Sequence, residues 1–249
     1  MFYQDSRQIY RVTELDSLPW LVHGFGTRLA RVPALYGNLA TLRQVHSAVC
    51  VLAAGRGGVL GEGDALLENT PGSVVAVKTA DCLPILLVDE RHQAVAAVHA
   101  GWRGTVAGIA RRAVEAMGAQ FGALPGDLHA AIGPGIGRCC YEVGPEVAAE
   151  FSQQGRAHVD LAAANRRQLM DAGVTAERIY ASNLCTMCRG GEFHSFRRDK
   201  EAAGRLFSFA GILQAVHEKI EASINVHVDL PAVRARSSPS LCGLSRLRR

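Results

Sequence analysis

The hydrophobic positions change rhythm along the chain, and the changes predict both strands and helices. Between residues 74 and 99, short apolar runs separated by turn residues predict strands at 74–77, 85–88 and 94–99, with turns at 79–84 and 89–93. SVVAV and AVAAVH are continuous rather than alternating, as in strands covered on both faces. After His99, the sequence AGWRG leads into Val106, Ile109, Ala113 and Met117 at helical spacing, with Thr105 as the expected N-cap. LHAAI at 128–132 reads as a further strand and runs into the glycine-rich GPGIGRCCYEVG. Pro145 suits the first position of a short helix, and Asp160 the cap of a helix ending near Gly173. Strands recur at 179–181 and 206–210, and Ile212, Leu213, Val216 and Ile220 mark a last amphipathic helix. Helices and strands mix without strict βαβ alternation, which predicts an α+β chain of layered mixed sheets flanked by helices. No repeat is visible and no linker divides the chain, so the expected organisation is one domain over 1–212, followed by a C-terminal helix and loose tail over 213–249.

Composition narrows the class. At 249 residues the chain suits one large domain, and 48% apolar against 20% charged residues excludes a disordered or fibrous protein. No apolar run approaches the roughly 18 residues of a membrane span. The opening MFYQDSRQIYRV lacks the apolar core of an export signal, so the expected location is the cytoplasm. The seven cysteines are then expected as thiols, ligands or nucleophiles rather than a disulfide frame. The net charge is +4, but residues 231–249 hold Arg234, Arg236, Arg246, Arg248 and Arg249 and no acid; subtracting those five leaves −1. The basic character belongs to the tail, and no nucleic-acid surface is expected.

Three soft ligands stand at conspicuous places: His46 in RQVHS, Cys82 in TADCLP and His99 at the end of AVHAGWRG. Imidazole nitrogen and thiolate sulfur are what zinc prefers, and two histidines with one cysteine leave a fourth tetrahedral position for water or substrate. The spacings are too long for a finger-type signature, and a histidine or cysteine near a strand end can equally be packed without function. Beside this trio, the turn Gly101-Trp102-Arg103-Gly104 opens a helix, whose free N–H groups with the Arg103 fork suit phosphate or carboxylate. The competing reading is a tight turn with a solvated arginine.

QVHS, GEGDALL, VKTADCLPILLVD, AVHAGWRGTVAGI, AAIGPGIGRCCYEVG and FHSFRRDKEAAGR follow in this order and spacing. Together they resemble the laccase-domain family, once called multicopper polyphenol oxidases and now understood as purine nucleoside phosphorylases. The resemblance implies a single-domain, four-layer α/β/β/α arrangement and a catalytic zinc on His46, Cys82 and His99. It also implies phosphorolysis of adenosine, inosine, guanosine or S-methyl-5′-thioadenosine, with accompanying deamination of adenosine to inosine. The implied partners are a purine nucleoside and phosphate, with no nucleic acid or membrane, and a monomer or small homo-oligomer. On that reading Arg103 presents phosphate, Arg43 and Gln44 reach substrate, and Asp64 and Asp81 orient a histidine ligand or meet a proton. Tyr141 is expected near the cleft, and one of Arg197 and Arg198 at the phosphate or ribose, the alternative being a salt bridge.

Other chemistries fit less well. None of the nine histidines forms an H-x-H pair and no cysteine is flanked by histidines, so a copper oxidase mechanism is not expected and bound copper would be adventitious. A metal-free cysteine hydrolase using Cys82 and His99 is the main rival. CTMC at Cys185–Cys188 has C-x-x-C spacing without a second such pair and reads as buried thiols, with a redox or structural-metal role as the alternative.

Overall fold

A computed structural model describes residues 1–214. Two mixed sheets lie face to face. The first runs, in spatial order, Phe2–Gln4, Ile9–Val12, Leu21–Gly26, Leu206–Ile212, Val74–Thr79, Leu39–Arg43 and Gly58–Glu62. The second runs Ile179–Ala181, Leu128–Ile132, Leu83–Asp89, Ala94–Ala100, Ala65–Glu68 and Cys50–Leu52. A small ribbon pairs Glu142–Val143 with Ala157–His158.

The continuous apolar runs are explained by the layering, because the central strands have no wet face. Val75, Val77, Leu86, Val88, Val95 and Ala97 meet between the sheets. Ile85, Leu87, Ala96 and Val98 point the other way, onto Ile109, Ala113 and Met117 of the helix Ile109–Phe121 and Leu161 and Leu169 of the helix Leu161–Asp171. The outer face of the first sheet is covered more thinly, by Val32 of the short helix Val32–Leu35 and by Tyr36, packed on Ile9, Ala76 and Phe209. The expected α+β architecture of layered mixed sheets is present. Asp160 caps its helix as expected, its carboxylate accepting the Ala163 N–H at 2.9 Å, and Pro145 opens the helix Pro145–Glu150.

Two element assignments differ from the sequence reading. Thr105 is not an N-cap: Gly101 is, in extended conformation, and the helix Trp102–Val106 breaks at Gly108 (φ 78°) before Ile109–Phe121 begins. Thr105 is buried instead, and its hydroxyl accepts from Asn165 Nδ2 at 2.9 Å. A glycine cap leaves no side-chain signal, so the threonine looked like the better choice. Ile212 ends a strand rather than starting a helix; Val216, Ile220 and the basic tail lie outside the described residues. Among the described residues no helix is long and apolar enough to cross a membrane.

Candidate metal centre and cleft

The trio is assembled by strand register. In the hairpin of Leu83–Asp89 and Ala94–Ala100, His99 pairs with Pro84 and Ala100 with Leu83, so the next positions outward, Cys82 and Gly101, face each other at its open end. His99 shares the parity of Val95 and Ala97 and points to the inter-sheet side. On its other edge the same strand pairs Val98 with Ala65, which sets Asp64 against His99. The His99 N–H donates to the Asp64 carbonyl at 2.7 Å, and His99 Nδ1 lies 2.8 Å from Asp64 Oδ1.

Asp64 then fixes the third ligand. Its carboxylate accepts the backbone N–H groups of Val45 (3.3 Å), His46 (3.1 Å) and Ser47 (2.6 Å) and the Ser47 hydroxyl (2.7 Å). These bonds wrap a turn in which His46 adopts a left-handed conformation (φ 60°). Burial pushes the Asp64 carboxyl up, but the bonds from His99 and Ser47 outweigh it and hold it at about 2. One buried carboxylate therefore orients both histidines.

The donor atoms of His46, Cys82 and His99 all lie within 4.8 Å of one another. Cys82 Sγ is 3.9 Å from His46 Nε2, and the two imidazoles meet edge to face with centroids 4.9 Å apart. Because Asp64 engages His99 Nδ1, Nε2 is the nitrogen left for a ligand. Burial pushes the Cys82 thiol up, yet the two histidines bring it down to about 6. The His99 imidazole is pushed down by burial and raised to about 9 by Asp64 and Cys82. Gly101 leaves the room this requires: a Cβ there would stand 2.8 Å from Cys82 Sγ and 3.0 Å from His46 Cδ2. Two imidazoles and a thiolate, oriented from behind by a carboxylate, fit a tetrahedral metal with one open position.

The trio borders a cleft of about 550 Å³, within the range of small-molecule sites. Arg43, Gln44, Asp81, Tyr141 and Arg197 line it, as does a set the sequence reading missed: Lys78, Ile136, Phe196 and Arg205. Gln44 is locked to the neighbouring strand, accepting from the Lys78 N–H at 2.8 Å and donating to its carbonyl at 2.7 Å. Arg43 pairs with Glu62. Asp81, in a left-handed conformation (φ 88°), accepts from Thr186 Oγ1 at 2.7 Å and the Arg197 N–H at 2.6 Å, so its carboxylate knots the cleft wall together. The Arg197 guanidinium lies 5.4 Å from the centre of the Tyr141 ring. Burial pushes the Tyr141 phenol up to about 12, which keeps it a hydrogen-bond donor at neutral pH.

Two of the expected substrate arginines are elsewhere. Arg103 is exposed, stacked 4.4 Å over the Trp102 ring, and is not among the residues lining the cleft. Arg198 is spent on structure: its guanidinium donates to the carbonyls of Thr186, Met187 and Phe193 and to both oxygens of Asp199. Asp64 is fully buried and lines no part of the cleft, so it reaches substrate only through the ligands it orients. Lys78 had a signal, since it is the one charge in the strand Val74–Thr79, after four apolar residues.

Comparison with known proteins identifies the family. The chain is 42% identical over 197 residues to a purine nucleoside phosphorylase of Deinococcus radiodurans, covering 74% of this chain and 75% of that one. It is 37% identical over 193 residues to purine nucleoside phosphorylase YfiH of Escherichia coli, covering 71% and 76%. An adenosine deaminase of an unknown prokaryotic organism is 44% identical over 159 residues, 58% of this chain and 60% of that one. The crystal structure of YlmD from Geobacillus stearothermophilus superposes with a TM-score of 0.79 at 27% identity, covering 86% and 99%. With residues 22–213 matching its family pattern as well, the chain belongs to the multi-copper polyphenol oxidoreductase laccase family.

Proposed function

We propose that the chain is a zinc-dependent purine nucleoside phosphorylase, cleaving adenosine, inosine, guanosine or S-methyl-5′-thioadenosine with phosphate to the free base and the (thio)ribose 1-phosphate. Deamination of adenosine accompanies it. The observation that carries this reading is the convergence of His46, Cys82 and His99 beside a cleft rich in cations. Zinc on these three residues would supply a Lewis acid at the cleft wall, with one coordination position open to a reactant.

The remaining roles fall to side chains of the chain itself. Lys78, Arg197 and Arg205 are placed to gather the charge of phosphate, and Asp81, held by Thr186 and the Arg197 backbone, is among the described residues the one carboxylate in the cleft lining against them. Holding phosphate and nucleoside together turns a bimolecular encounter into a positioned one. Phe196 and Tyr141 supply apolar faces for the nucleoside, and the protonated Tyr141 hydroxyl can donate to a ribose or base oxygen. Arg103, outside the cleft wall, is at most an outer guide for the anion.

The test is incubation of zinc-loaded protein with adenosine, with and without phosphate, resolving adenine from inosine. Adenine only with phosphate supports phosphorolysis, and inosine in both supports the deaminating branch. Both are expected to vanish in Cys82→Ala. Activity that survives chelation but is lost on thiol alkylation would favour the cysteine-nucleophile alternative of Cys82 with His99 as its base, whose donor atoms lie within 4.8 Å of each other.

A further inference from the structure

Four thiols outside the cleft have no part in this chemistry, yet they are gathered in one place. The sulfurs of Cys139, Cys140, Cys185 and Cys188 all lie within 4.8 Å of one another. Cys188 Sγ is 3.7 Å from that of Cys139 and 3.3 Å from that of Cys140. A tetrahedral ion with metal–sulfur bonds of about 2.3 Å sets its sulfurs about 3.8 Å apart, so shifts of about 1 Å complete the coordination. The C-x-x-C pair that lacked a partner in the sequence finds it in the adjacent cysteines of GRCCYEVG.

At Cys185 the surroundings favour the ionised form, since the Gly137 N–H donates to its Sγ at 3.3 Å. Arg198, its charge paired with Asp199, braces the C-x-x-C turn by donating to the Thr186 and Met187 carbonyls at 3.0 Å each. This accounts for an arginine that the cleft does not use.

We propose that Cys139, Cys140, Cys185 and Cys188 form a second, structural site that binds one zinc ion through sulfur alone, with no position left for substrate. The ion would staple the loop that carries Ile136 and Tyr141 to the loop whose Thr186 holds Asp81, making one wall of the cleft rigid.

Metal content of the full chain, purified with reductant and supplied with zinc, tests this. The wild type is expected to hold about two zinc ions per chain, His46→Ala about one, and Cys140→Ser/Cys188→Ser about one. Cobalt(II) in His46→Ala should show the intense sulfur-to-metal charge-transfer absorption of a tetrathiolate ion. Because the His46→Ala count leaves the four cysteines untouched, it decides the matter even if the cysteine variant does not fold, and it does so whether or not the cleft is a phosphorylase site. No zinc in a folded His46→Ala chain overturns the proposal, as does a wild-type content that the cysteine variant retains in full. A zinc-free chain carrying a Cys140–Cys188 disulfide overturns it in favour of a redox pair.

Discussion

Replacing Asp64 by Asn keeps the side-chain shape and exchanges one acceptor oxygen for an NH₂ group. In the native chain Oδ1 takes His99 Nδ1 at 2.8 Å and the His46 N–H at 3.1 Å, while Oδ2 takes the Ser47 N–H, the Ser47 hydroxyl and the Val45 N–H. If the new NH₂ faces Ser47, it opposes two backbone donors. If it faces His99, it opposes only one, so this orientation costs less. His99 Nδ1 must then accept a hydrogen bond, which moves the ring proton to Nε2, the nitrogen a metal needs. The charge-assisted bonds lost and the donor left unpaired together amount to about 2–4 kcal/mol of stability in the metal-free chain. Zinc affinity should fall about 10–100-fold, as for other carboxylates that orient histidine ligands. Denaturant unfolding of chelator-treated protein reads the first quantity, and competition with a chromophoric chelator reads the second. A stability loss with zinc affinity unchanged refutes the orienting role. If neither quantity moves, the whole hydrogen-bond assignment around Asp64 is wrong.

Gly101→Ala places a methyl group 2.8 Å from Cys82 Sγ on a backbone that accepts alanine (φ −74°, ψ 174°). The fold should therefore survive while zinc affinity drops at least about tenfold; elemental analysis showing full occupancy at limiting zinc would contradict this. Lys78→Met and Arg205→Met should each raise KM for phosphate about tenfold or more, the scale of one charge-assisted bond, and leave KM for the nucleoside nearly unchanged. Equal effects on both substrates would remove these side chains from the phosphate site. Burial pushes the His23 imidazole down to about 4, and its Nε2 accepts the Val12 N–H at 3.0 Å, which requires the neutral ring. The unfolded chain takes up that proton from about pH 6.5 downward, whereas the folded chain resists it until about pH 4. Stability is accordingly intact above pH 6.5 and lost as pH falls through this window, by at most about 3 kcal/mol. The wild-type minus His23→Gln difference in unfolding free energy should shrink across it, and a flat difference refutes the assignment.

The sequence made some of this visible through residue chemistry and left the rest to tertiary pairing. His46, Cys82 and His99 stood out as soft ligands at strand ends, but their long spacings became meaningful only through the pairing of His99 with Pro84 and of Val98 with Ala65. Asp64 was legible as a partner for a histidine ligand; that it also wraps residues 45–47 was not, because its acceptors serve backbone groups that any residue carries. Arg103 and Arg198 looked like anion binders because arginine beside glycine or aspartate suits that task equally well as a stacked or structural side chain. Their fates were settled by Trp102 and by the carbonyls of the 186–193 loop. The adjacent cysteines of GRCCYEVG gave no metal spacing of their own, since their partners lie 45 or more residues further along.

The hairpin that joins Cys82 to His99 closes at the turn 89–93, where the Asp89 carboxylate accepts the N–H groups of Arg91 and His92. That turn lies about 20 Å from the ligands, the length of a seven-residue strand. Ordinarily such a surface connection tolerates insertions and deletions. Here, gaining or losing one residue while the strands stay paired would slide their alignment by one step and swing the His99 imidazole out toward the helices, leaving Val98 in its stead on a gain and Ala100 on a loss. The length of a remote bend is thus as much a condition for metal binding as the ligands are.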